Sequence, residues 1–280
     1  MVTRQGVGKR MESQRPLILI TNDDGIDSPG LRAAIEAVHD LGDLLIAAPI
    51  QQQSSMGRSL ARRPHAHVEE KRVLINGQEL KAYALDASPA QTVLYAILVL
   101  AETRPTLAIS GINFGENLGT GTTISGTVGA ALQAGDMGVP ALAISLETDK
   151  RYHYNIGYDV DWRVGRHFTR EFAQRLLENR LPHDVDVIKV DIPATATPQT
   201  PWRITRQSRQ PYYTVRVPPG NGRRAWPIFD YVVEIDWATL EPDSDIYVFA
   251  RERLVSVTPL SVDLTARVDF EHMRQVLDGI

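Results

Sequence analysis

No cysteine occurs among the 280 residues, so neither a disulfide framework nor a thiolate metal site is open to this chain. Any metal must be held by oxygen or imidazole. Long apolar runs are lacking too: the longest, such as residues 93–101, fall well short of the roughly 20 residues a membrane-spanning helix needs, and no membrane partner is expected. Positive charge is not in excess, with 30 Lys and Arg against 34 Asp and Glu for a net charge of -4. Duplex binding leans on many basic contacts to phosphates, so no nucleic-acid duplex is expected either, and a nucleotide would have to be gripped locally. Residues 1–15 hold four basic residues, one acidic residue and no run that could form a signal-peptide core. They read as a flexible tail on a cytoplasmic protein.

What is present is an ordinary globular composition, 43% hydrophobic and 23% charged, which argues against long disorder. Residues 17–21 (LILIT) form a short apolar run that stops at Asn-Asp-Asp-Gly, and a helical pattern follows over 29–41. Further strands are expected at 44–48, 106–110, 141–145 and 185–190. Helices are expected at about 125–137 and along the face set by Val160, Val164, Phe168, Phe172 and Leu176. Strands alternating with helices predict an α/β fold, a Rossmann-like, mostly parallel sheet with helices on both faces. Runs 72–75 and 80–85 flank Asn76-Gly77, a two-residue hairpin signal. After Pro193 the character shifts to β-rich runs around 202–205, 212–217, 229–235, 246–249 and 254–257, with a final helix at about 268–277. The expected organisation is a tail over 1–15, a catalytic core over 16–193, and over 194–280 a β-rich extension whose terminal helix docks on a neighbouring subunit.

In an open parallel sheet, ligands bind beyond the carboxyl ends of the strands, and three unusual polar loops fall there. Asp23 and Asp24 end the first strand. Two adjacent carboxylates suit a hard divalent cation, while Asn-Asp-Gly alone equally suits a plain turn. In Ser110 to Gly119 (SGINFGENLG), Asn113 and Asn117 can offer oxygen to a metal or amide hydrogen to a phosphate; a flexible loop is the other reading. Ser125, Gly126 and Thr127 open a helix whose unpaired N–H groups make a phosphate seat, or simply a capped helix start. The loop from Pro49 to Ser59 offers Ser54, a poor metal donor by chemistry alone, and Arg58, which can serve a phosphate or lie solvated. His65 and His67 form a close pair without a supporting acid and read as surface residues.

Together the segments LILITNDDGIDSPG, SGINFGENLG, SGTVGAALQAGDMGVPALAISL and SVTPLSVDLTA (256–266) resemble the SurE (survival protein E) family of nucleotidases. The resemblance implies a Rossmann-like core, an extension used in homodimers or homotetramers, and one divalent cation per subunit, magnesium, manganese or similar. It implies hydrolysis of nucleoside 5'- or 3'-monophosphates, a small-molecule nucleotide being the substrate. Carried over by residue, it puts metal ligands at Asp23, Asp24, Ser54 and Asn113, with Asp23 and Asp24 catalytic. Phosphate contacts fall at Asn22, Asn117, Ser125, Gly126 and Thr127. The chain departs from the family pattern at Ile50, where the family has Asp, and across residues 87–92 and 121–124. Those departures keep a second reading open, a catalytically weak nucleotide-binding protein that retains the metal site. A haloacid-dehalogenase phosphatase would need an aspartate nucleophile where Asn22 stands, and an amide cannot form an aspartyl phosphate. A dinucleotide oxidoreductase would need Gly-x-Gly-x-x-Gly after the first strand, which is absent.

Overall fold

The computed structural model describes residues 15–60, 67–152, 159–216 and 230–279. In chain order the strands are β1 (Leu17–Thr21), β2 (Asp43–Pro49), β3 (Val68–Ile75), β4 (Gln78–Leu85), β5 (Leu107–Phe114), β6 (Ala141–Leu146), β7 (Val187–Ile192), β8 (Trp202–Ile204), β9 (Tyr213–Arg216), β10 (Asp230–Val233) and β11 (Val255–Leu260). Nine of them form one sheet in the order β3-β4-β2-β1-β5-β6-β7-β11-β8. From β4 to β7 every neighbouring pair is parallel. The central strands are buried along nearly their whole length, as a sheet covered on both faces requires.

The cover comes from four of the five helices, α1 (Pro29–Val38), α2 (Pro89–Tyr95), α3 (Gly126–Asp136) and α4 (Arg163–Glu178), while α5 (Phe270–Asp278) takes no part in it. Helices α1 and α4 pack together over one face, on a core that includes Ile20, Leu31, Ile35, Phe168 and Phe172. Helices α2 and α3 cover the other, over Leu19, Val93, Val128 and Ala131. Because β1 leads through α1 to β2 while β5 leads through α3 to β6 on the opposite face, the winding reverses between β1 and β5. A crevice opens there at the carboxyl ends of the strands. Among the described residues no helix is long and apolar enough to cross a membrane.

Asn76 and Gly77 both have positive φ, 49° and 82°, as the two-residue turn joining antiparallel β3 and β4 demands. Beyond Pro193, β8 and β11 extend the central sheet, β11 running antiparallel to β7, whereas β9 and β10 form a separate antiparallel ribbon. The strand expected at 246–249 is corrected: Tyr247–Arg251 is a π-helical turn. Ser244 caps it, its Oγ accepting from the Tyr247 N–H at 3.2 Å, and Ile246 and Phe249 are buried in a small core with Leu118, Tyr212 and Leu240. The apolar stretch at 93–101 belongs to a helix the periodicity did not reveal, α2 and its continuation Ala96–Leu100. Its start was marked by Ser88-Pro89, with the Ser88 hydroxyl accepting from the Gln91 N–H and proline in the first turn. Helix α5 lies wholly exposed. The tail over 1–14 and His65 lie outside the described residues.

Candidate active site

At the crevice, β1 ends and the chain turns through Asn22, Asp23 and Asp24, all buried. The Asn22 amide is occupied within this turn: its Oδ1 accepts from the Gly25 N–H at 3.2 Å and its Nδ2 donates to the Gly25 carbonyl at 3.0 Å. Its role here is to fold the loop so that the two aspartates project. Asp23 meets the start of α3, where its Oδ1 accepts from the Thr127 hydroxyl at 2.5 Å. Burial pushes the Asp23 carboxyl up to about 6, against hydrogen bonds from the Thr127 hydroxyl and backbone that favour the anion. Asp24 is raised well above the ordinary aspartate range by burial and by the neighbouring charge of Asp23. Only two long contacts oppose this, from the Phe114 N–H and the Gln52 amide, each at 3.4 Å.

A β-bulge between Ser110 and Asn113 shifts the register of β5 and re-aims Asn113 toward the aspartates' side of the crevice. The amide nitrogen of Asn113 donates to the carbonyls of Gly115 (2.7 Å) and Phe114 (3.3 Å), which orients the side chain and leaves its oxygen as the available donor atom. Asp23, Ser54, Asn113, Asn117, Ser125 and Gly126 line one cavity of about 320 Å³. Asn22, Asp24 and Thr127, all buried, are not part of its lining. Ser125 caps α3, its hydroxyl oxygen accepting from the Val128 N–H at 3.1 Å. The Thr127 hydroxyl is turned to Asp23, while Asn117, Ser125 and Gly126 face the cavity. Arg58 is tied to the flank of α3 through Gln133 and Asp136, away from any phosphate role. His67 is exposed, with Glu69 at 3.4 Å.

Do these residues suit a divalent cation? Burial pushes both carboxyls toward protonation, and Asp23 adds to this for Asp24; a divalent cation bound between them would instead hold both as anions. The donors beside them, the Asn113 amide oxygen and the Ser54 hydroxyl, are hard oxygens. Among the described residues no group of three or more histidines and acids forms a metal cluster, so the set is two carboxylates plus neutral oxygens. It fits a hard cation that keeps some water in its shell, as magnesium does.

The opposite wall was not foreseen. Glu116, Tyr213 and Tyr231 line the cavity, the last two from the β9–β10 ribbon, and the Tyr213 hydroxyl donates to Glu116 Oε1. Glu116 lay inside the SGINFGENLG loop and could have been picked out; a tyrosine some hundred residues onward carried no signal. Burial pushes the Glu116 carboxyl up to about 7, opposed by the Tyr213 hydrogen bond. A raised carboxyl binds more protons folded than unfolded, so its neutral form supports stability at low pH, and that support is lost as pH rises from the ordinary 4.5 through about 7. Glu116→Gln, neutral throughout, is expected to match the wild type at pH 4 and to exceed it by about 3 kcal/mol at pH 8. Denaturant unfolding of both metal-free proteins across that range checks this; parallel curves would contradict it.

A family model described as survival protein SurE matches residues 18–214. A "5'-nucleotidase SurE" of Thermococcus gammatolerans is 42% identical over 265 residues, covering 94% of this chain and 96% of the relative. The protein of the same name from Methanocella arvoryzae is 41% identical over 258 residues, covering 89% and 93%. The crystal structure of SurE protein from Aquifex aeolicus superposes with a TM-score of 0.72 at 28% identity, covering 94% of this chain and all of the other.

Proposed function

The chain belongs to the SurE family, and from that premise we propose that it is a metal-dependent 5'-nucleotidase, releasing phosphate from nucleoside 5'- or 3'-monophosphates. The observation that carries the reading is the 2.5 Å hydrogen bond from Thr127 to Asp23. It joins a cation site to the helix start where an anion would sit, so both ends of a metal–phosphate pair have partners within one cavity. Asp23, Asp24, Asn113 and Ser54 would hold one divalent cation per subunit. When bound, such a cation supplies Lewis-acid polarisation of a phosphoryl oxygen and neutralises its charge.

The rest is work for the chain. The Gly126 N–H and the Ser125 hydroxyl at the head of α3 donate to phosphoryl oxygens, favoured by the helix dipole. Asn117 donates from the facing loop, and these fixed dipoles stabilise charge as it spreads over the equatorial oxygens. The Asp23 carboxylate, facing the cavity, orients the attacking water along the line of the scissile bond. Tyr213 and Tyr231 offer apolar faces with polar tips to the nucleoside.

Phosphate release from a panel of nucleoside monophosphates and an aryl phosphate, with Mn²⁺ or Mg²⁺ and with chelator, tests this. Turnover that chelator abolishes is expected. A folded protein that binds nucleotide and metal without turnover would put the nucleotide-binding reading in its place. The cytoplasm is the proposed location. Helix α5, with Phe270 and Leu277 more than two-thirds exposed, supports assembly into a homodimer or homotetramer. A solution mass of one chain would overturn that.

A further inference from the structure

Directly beneath the Asn117 loop lies a charge cluster that the chemistry above does not use. Lys189 on β7 is fully buried, as are Asp191 and Asp245. The Lys189 ammonium donates to Asp191 Oδ2 at 2.5 Å, to the Asn117 carbonyl at 2.8 Å and to Asp245 Oδ2 at 3.2 Å. Three acceptors satisfy its three hydrogens. Burial works against the charged ammonium, but the two carboxylates outweigh it and hold the group charged above the ordinary lysine value.

The same carboxylates grip the loop a second time. Asp191 Oδ1 accepts from the Asn117 N–H at 2.7 Å, and Asp245 Oδ2 accepts from the Gly119 N–H at 3.0 Å. Asp245 is itself fixed through Oδ1 by the N–H groups of Ser208 and Ile246, both at 2.9 Å. Both backbone polar groups of Asn117 are therefore held by charged partners, and charge-assisted bonds of this length are roughly twice as strong as neutral ones. The Asn117 side chain is aimed as well, its Nδ2 donating to Ser145 Oγ at 2.8 Å. A loop at the mouth of a sheet ordinarily opens easily; this one is fastened from below.

Why place charges there at all? Taking three charged groups out of water costs several kcal/mol each before pairing, and a well-packed apolar set is often as stable. Stability alone is a weak reason for the cluster. Its geometry gives a better one, because every member bonds to the loop that bears Asn117. We propose that Lys189, Asp191 and Asp245 form a buried clamp that positions Asn117, and that Lys189 is a positioning residue for phosphoryl binding. The inference rests on the nucleotidase reading, in which Asn117 contacts the phosphate.

The test is the double variant Lys189→Asn with Asp191→Asn, which removes one charge of each sign and leaves amides to bond in their place. Lys189→Met is the poorer probe, since it strands two buried carboxylates, whereas the double variant leaves only Asp245, which keeps the N–H groups of Gly119, Ser208 and Ile246. Inorganic phosphate is measured as a competitive inhibitor, and Mn²⁺ binding is measured separately by titration calorimetry. The clamp predicts a rise of about tenfold in the phosphate inhibition constant, with Mn²⁺ affinity unchanged because Asp23, Asp24 and Asn113 do not touch the cluster. In an Asn117→Ala background the same double change is expected to cost nothing further. Should the double variant fail to fold, Asp245→Asn, which leaves Lys189 and Asp191 paired, is read by the same criteria. Unchanged phosphate affinity in a folded variant overturns the clamp, and so does a parallel loss of Mn²⁺ affinity. A wild-type protein that neither turns over nucleotides nor binds phosphate overturns the nucleotidase reading instead.

Discussion

Asp23→Asn is expected to lower kcat/KM for nucleotide hydrolysis by about 10³-fold, since losing cation-based stabilisation of transition-state charge removes several kcal/mol. The amide is isosteric and keeps an oxygen for the Thr127 hydroxyl at the Oδ1 position, so the fold should survive. What disappears is one of two negative charges available to a cation. The unfolding behaviour supplies a signature that ordinary damage to a protein does not give. Burial already disfavours the Asp23 anion, and Asp24 is pushed up partly by its charge. Removing that charge should leave the metal-free protein as stable as before, or more so. Steady-state kinetics with Mn²⁺ and thermal melts with chelator read the two effects separately: activity collapses while the midpoint holds or rises. A variant that keeps turning over nucleotide at the wild-type rate would remove Asp23 from the mechanism.

Gly126→Ala should cost about 10²-fold in kcat/KM, the scale of loss from misplacing a reacting group by about an ångström. A Cβ at residue 126 would lie 2.7 Å from both Asp23 Cβ and Asp23 Oδ2. The Asp23 Cβ is held by the backbone and cannot swing away, so the helix start and the carboxylate must separate. Alanine is the better helix former by about 0.5–1 kcal/mol, and the variant should therefore lose much more activity than stability. Gly121→Ala is the control, because nothing lies within 4 Å of a Cβ there, and its activity should stay within about twofold. Equal activity in Gly126→Ala and the wild type would mean that the 126–23 contact does not set the geometry of the site.

The parts of this site legible in the sequence share one property: each is a run of special residues at the end of a strand or the start of a helix. TNDDG and SGINFGENLG concentrate polar and glycine residues where β1 and β5 end, SGTVG opens α3, and the topology of a parallel sheet brings such segments together. The hairpin at Asn76-Gly77 was legible for a similar local reason. Pattern alone failed where tertiary context decides. Ile246 to Phe249 looks like a strand by propensity, but Ser244 and a waiting apolar pocket make it helical. The tyrosine wall and the Lys189 cluster depend on contacts between residues as far as 126 positions apart, a range that no periodicity reports.

The sheet order carries a consequence for assembly. β1 and β5 are neighbours in space, although one strand, a hairpin and two helices lie between them in the chain. β11 must then return across the excursion that contains the ribbon before β7 gains its second partner. Such distant pairings are slow to form, because loop closure comes before any contact rewards it. Helices α1 and α3 can be native while the Asp23 turn and the Asn117 loop still lack their neighbours. Activity in this chain is thus expected to return late in refolding, after most of the secondary structure, which circular dichroism and turnover followed side by side would check.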